Sequence, residues 1–76
     1  MKELVEIIAK SLVDYPDQVT VTEETRAGEK VIALKVASED MGKVIGKQGR
    51  IARAIRTVVK AAAIKEGTQI SVEIVQ

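Results

Sequence analysis

Apolar residues at the start of the chain recur at helical spacing. Leu4, Val5, Ile7, Ile8, Leu12 and Val13 follow that period, with Lys2, Glu3, Glu6 and Lys10 elsewhere on the wheel. The pattern predicts an amphipathic helix over residues 2–13. Pro16 lacks a backbone donor and pushes Tyr15 away from helical geometry, so residues 14–17 end that helix. Residues 19–25 alternate and are rich in β-branched side chains, which predicts a strand. Residues 26–29 contain Gly28 and predict a turn. Residues 30–37, more continuously apolar, predict a second and more buried strand, antiparallel to the first.

Ser38 precedes Glu39 and Asp40, the pattern of an N-cap followed by acids in a first turn. A short helix is expected over residues 39–45, breaking at Gly46, and a longer one from Arg50 to about Lys65. Ile51, Ala54, Ile55, Val58 and Ala62 fall on one face of the longer helix, with Arg53, Arg56 and Lys60 on the opposite one. Gly67 suits the position just past its end. Residues 68–75 alternate with Ile70, Val72 and Ile74 on one side, a third strand. A helical crossover joins strands two and three, so they should be parallel. The expectation is an α+β fold in the order α-β-β-α-α-β. One domain over residues 1–76 has a three-stranded mixed sheet centred on strand two, with three helices packed on one face.

Composition narrows the chemistry. An apolar content of 46% argues against disorder. A chain of 76 residues has a marginal core. The chain has neither Cys nor His, which removes disulfides, thiolate chemistry, the usual general base and the commonest metal ligand. With no clustered carboxylate pair either, an enzyme is disfavoured, and no cofactor or metal is expected. Met1–Val13 carries Glu3 and Glu6 inside its apolar segment, and no run reaches transmembrane length. That predicts a soluble, cytoplasmic protein with no membrane association.

Charge is segregated. Residues 41–65 hold Lys43, Lys47, Arg50, Arg53, Arg56, Lys60 and Lys65 and no acid, a local +7, while the rest of the chain sums to −6. A basic footprint on a near-neutral protein is what a polyanion-binding surface looks like. A solvated helix face built from good helix formers has the same composition. The lack of Glu partners at i,i+4 tilts the balance towards binding.

The segment "GKVIGKQGRIARAIR", from Gly42 to Arg56, carries the candidate chemistry. It is one residue short of a phosphate-loop motif and has Gln48 where a magnesium-binding Ser or Thr must stand. Val44 fills the first glycine position of a dinucleotide fingerprint. What remains is helix, G-x-x-G, helix, with Gly46-Lys47-Gln48-Gly49 as connector. Glycines there allow a four-residue turn and let a sugar-phosphate chain lie against the backbone. The amides opening the next helix favour an anion, with Lys47 and Arg50 adding charge beside them. A plain αα corner is the alternative for an isolated G-x-x-G. The basic helix and the element order favour single-stranded nucleic acid. Gly42 reads as a close-packing position in the short helix.

"VIGKQGRIARAIR" resembles the KH-domain signature V-I-G-x-x-G-x-x-x-x-x-I, and the element order resembles the type II KH topology. From "MKELVEIIAKSL" and "YPD" through "SEDMGKVIGKQGR" to the last strand, the chain is similar to small stand-alone bacterial KH proteins of the KhpA type. Ile51-Ala52-Arg53 departs from the Thr-Ile-polar sequence common in that family. The resemblance implies a non-catalytic protein whose Gly46, Lys47, Gln48 and Gly49 clamp the backbone of single-stranded RNA, assisted by Arg50. Ile45 and Ile51 would help line an apolar groove, or be plain core. Arg53, Arg56 and Lys60 would extend the phosphate track, or be a solvated face. The resemblance also implies a homodimer, or a heterodimer with a KhpB (Jag)-type RNA-binding protein, acting as an RNA chaperone or post-transcriptional regulator. The alternative is mainly a dimerisation subunit with weak RNA affinity, suggested by Ala52, Val59 and Ala63 widening the apolar arc of the long helix. Tyr15, the only aromatic, rules out an aromatic stacking platform.

Overall fold

The computed structural model describes residues 1–75. Helix α1 spans Lys2–Leu12, and a single 3-10 turn follows at Pro16–Gln18. Strands β1 (Thr20–Arg26) and β2 (Glu29–Lys35) form the expected hairpin, with Thr22 opposite Ala33 and Arg26 opposite Glu29. Its connection is only Ala27-Gly28, at φ 52° and 80°, so both turn residues are left-handed, which matches the twist of the strands. Helical span α2 covers Ser38–Glu66 and returns to β3 (Ile70–Val75), which pairs parallel to β2. Strand order is β1-β2-β3, with β2 central as predicted.

The pleat sends Val21, Ile32, Leu34 and Val72 to one side of the sheet. There they join Val5 and Ala9 of α1 and Val44, Ala52, Ile55 and Val59 of α2 in one core cluster. Val31 points the other way, yet is buried. On that helix-free face Arg26 reaches across the sheet, hydrogen-bonding Glu24 of its own strand and Glu73 of β3 at 2.8 Å. Both carboxylates, Glu73 first, raise the Arg26 pKa above its ordinary value.

Three sequence expectations change here. The two helices expected either side of Gly46 form one helical span, Ser38–Glu66, interrupted by four residues with non-helical dihedrals, Gly46–Gly49. Ser38 is not the N-cap: Ala37 holds that position without a side-chain bond, and the Ser38 hydroxyl donates to Glu39. The buried face of the long segment is Ala52, Ile55, Val59 and Ala63, while Ala54 and Val58 face outward. The predicted stripe was therefore rotated about one position, with Ala52 and Ala63 buried in place of Ile51 and Ala62.

Asp40 is fully buried in the first turn of α2. Its carboxylate accepts the backbone N–H groups of Asp14 and Tyr15, each at 3.0 Å. The acid that reads as helix-dipole decoration thus ties the end of α1 to the start of α2 and fixes where the glycine segment begins.

Candidate nucleic-acid interface

Residues 38–45 run as helix until Gly46, whose ψ of 168° makes the chain locally extended. Lys47, Gln48 and Gly49 then take three consecutive left-handed conformations, with φ of 52°, 63° and 72°. Helix resumes at Arg50. The start of that new segment carries the positive end of its dipole, which favours an anion beside it.

The two glycines differ in kind. At Gly49 the positive φ itself favours glycine. Gly46 sits at φ −70°, a conformation open to any residue, and a Cβ built there meets nothing within 4 Å. Neither backbone geometry nor packing inside the chain requires a glycine at position 46. What its absent side chain leaves free is room on the outside of the loop.

Lys47 and Gln48 are non-glycine residues in a conformation that costs about 1–2 kcal/mol each. Both are exposed, so the strained corner presents their side chains to solvent. Gly46 and Gly49 are half-buried, and Arg50 and Arg53 are exposed. Ile45 stands 52% exposed beside the loop, whereas Ile51 is half-buried and packs on the core. The loop, Ile45 and Arg50 therefore share one surface, and Ile51 anchors the segment from below. Gly42 is exposed with open space around it, so it is not the close-packing position expected of it.

The long segment of α2 lies along β3. Its Arg53, Arg56 and Lys60 occupy the flank of the helix towards that strand, and the Arg56 Nε donates to the Val72 carbonyl at 3.4 Å. Among the described residues the ion pairs are Lys10–Glu6, Arg26–Glu24, Arg26–Glu73 and Lys43–Asp14. Lys47, Arg50, Arg53, Arg56 and Lys60 are in none of them. Cations outside those ion pairs thus run from the loop along α2, and Arg56 and Lys60 border an open cavity between α2 and β3. Sequence reasoning located these cations and expected an apolar groove lined by Ile45 and Ile51; the cavity between α2 and β3 lies farther along, at Arg56 and Lys60, and neither isoleucine lines it.

No helix among the described residues is long and apolar enough to cross a membrane, and none of them cluster as a metal site.

Residues 2–74 match the family model described as KhpA/KhpB, KH domain. The "RNA-binding protein KhpA" of Clostridium acetobutylicum is 65% identical over 99% of this chain and 100% of its own length. That of Clostridium perfringens is 68% identical over the same shares. The Treponema pallidum protein of the same name is 51% identical over 97% of this chain and 92% of its own. No solved structure matches the chain.

Proposed function

The chain belongs to the KhpA/KhpB KH-domain family, and on that premise we propose that it is a non-catalytic single-stranded RNA-binding protein that grips the RNA backbone at Gly46–Gly49. The observation that carries this reading is Gly46, a glycine with an ordinary φ and open space where its Cβ would be. An external chain lying against the loop is a use for that bareness, and a phosphate is the partner the adjoining amides and cations favour. Gly46, Lys47, Gln48 and Gly49 then hold the backbone, Arg50 and Arg53 neutralise phosphates, and Ile45, with Ile51 beneath it, supports a base. In this reading residues 38–45 and 50–66 act as two helices hinged at the loop, which gives the type II order α-β-β-α-α-β with three helices. The relatives' printed name, RNA-binding protein, supports the same ligand.

A cytoplasmic role as an RNA chaperone or post-transcriptional regulator fits so small a binder without aromatic stacking. Such a module gains affinity by working beside a second one, either a second copy or a KhpB (Jag)-type partner. Lys47→Asp with Gln48→Asp tests the clamp. Aspartate tolerates the left-handed region, so the fold should be retained while added negative charge repels phosphate. Loss of RNA binding at unchanged thermal stability is expected, and retained affinity would remove the loop from the interface.

Dimerisation has its own observation. The arc of Ala52, Val59 and Ala63 turns into the core, so it does not supply a contact surface. Val58, 40% exposed with Ala54 beside it, lies on the α2 flank away from β3 and is free for a second copy. Sedimentation of the protein alone checks this: dimers that dissociate in Val58→Glu are expected, and a strict monomer at high concentration counts against it.

A further inference from the structure

The segment that leads into the loop cannot hold its own position. Residues 38–45 make a short helical stretch with Gly42 near its middle, too brief to be stable alone. Its placement must come from what it is fastened to. Two of its side chains are buried, Asp40 and Val44, one helical turn apart. Val44 packs in the core cluster, a contact without directional preference. Asp40 supplies the direction: its Oδ1 accepts the Asp14 N–H and its Oδ2 the Tyr15 N–H, each at 3.0 Å. A carboxylate held at both oxygens by successive backbone amides fixes the rotation of the helix as well as its distance. The other polar link, Asp14 to Lys43 at 3.2 Å, joins two exposed side chains and contributes little.

Asp40 stands six residues before Gly46, about 9 Å along the helix. A tilt of about 10° at Asp40 therefore carries Gly46 through about 1.5 Å. That exceeds the whole range of about 0.5 Å over which a hydrogen bond keeps a good length. The loop can meet a phosphate in one attitude only while this fastening holds.

We propose that Asp40 is a positioning residue for RNA binding. By fastening the helix before Gly46 to the Asp14 and Tyr15 amides, it sets the loop in the attitude RNA requires and couples the end of α1 to the interface. The proposal rests on the RNA-binding reading and adds to it a residue that touches no RNA. Charge and geometry make opposite demands at this position. Removing a negative charge near a phosphate-binding loop by itself strengthens RNA binding. Losing the fastening weakens it.

The test uses the full chain and short fluorescent single-stranded oligoribonucleotides of random sequence. Binding is followed by anisotropy, and each affinity is corrected for the folded fraction measured by urea unfolding. Asp40→Ala should bind at least about fivefold more weakly than the native protein, the lower end of the range for coupled sites. Asp40→Asn loses the same charge but keeps one acceptor oxygen, so it should also bind more weakly than native, though less so than alanine. Affinity at or above the native value in either variant would mean that charge outweighs position, and it overturns the proposal. Val21→Ala truncates a buried core residue of β1 and leaves the Asp40 bonds intact. It should bind within about twofold of native. A loss there as large as in Asp40→Ala would show a general effect of instability and overturn the proposal too.

The native protein gives a second reading that needs no variant. Coupling is reciprocal, so saturating RNA should slow hydrogen exchange at the Asp14 and Tyr15 amides by at least about fivefold. Unchanged exchange at both amides with RNA bound overturns the coupling and leaves the RNA-binding reading standing. A native protein that binds none of these RNAs refutes that reading, and the proposal with it.

Discussion

Replacing Asp40 by alanine removes the one buried carboxylate among the described residues and leaves the Asp14 and Tyr15 amides without their acceptor. A hydrogen bond to a charged group contributes about 1.5–3 kcal/mol, so two such bonds set an upper range of about 3–6 kcal/mol. Both bonds are only partly buried, and water can reach the freed amides; a loss of about 2–4 kcal/mol follows. Against a total of about 4–11 kcal/mol for a domain of this size, that is a large fraction. In thermal terms, about 6 °C per kcal/mol gives a fall of about 12–24 °C. Urea unfolding followed by far-UV circular dichroism measures it directly. Asp40→Asn keeps one acceptor but turns an amide NH2 towards the other donor, and should fall between native and alanine. Hydrogen exchange should show lost protection at Asp14 and Tyr15. A change below about 0.5 kcal/mol in Asp40→Ala, typical of a surface site, would refute the tie between α1 and α2.

Ala27→Asn at the hairpin turn should raise stability by about 0.5–1 kcal/mol, since asparagine tolerates a φ of 52° better than alanine; a lowered urea midpoint would contradict the turn geometry. Gly42→Ala should add about 0.5–1 kcal/mol, because the position is helical, exposed and unobstructed. Lys47→Gly with Gln48→Gly should leave stability unchanged or higher, relief of strained dihedrals outweighing added unfolded-state entropy, while RNA binding weakens. A clear loss of stability would mean that those dihedrals are not strained.

The strands, the hairpin and the parallel return of β3 were legible because alternation and β-branching repeat through each segment. The loop was legible for a different reason: glycine and positive charge have few other uses in such a sequence. Other features required three dimensions. The register of α2 was misread because Ala52 and Ala63 are weak apolar signals, although close packing makes them core, whereas Val58 is a strong signal that faces solvent. Asp40 looked like a first-turn acid, since its partners lie 25 and 26 residues earlier in the chain. Glu29 and Ser71, 42 residues apart, meet only because β2 and β3 pair in parallel.

Affinity and stability measured together on Gly46→Val test the central claim most directly. Its φ of −70° and ψ of 168° accept a β-branched residue, and open space receives the side chain. Nothing inside the protein should object, so the urea midpoint is expected to match or exceed the native value. Single-stranded RNA, lying where that side chain now projects, should bind more than tenfold more weakly. A stable Gly46→Val protein that binds RNA within twofold of the native affinity would contradict the clamp.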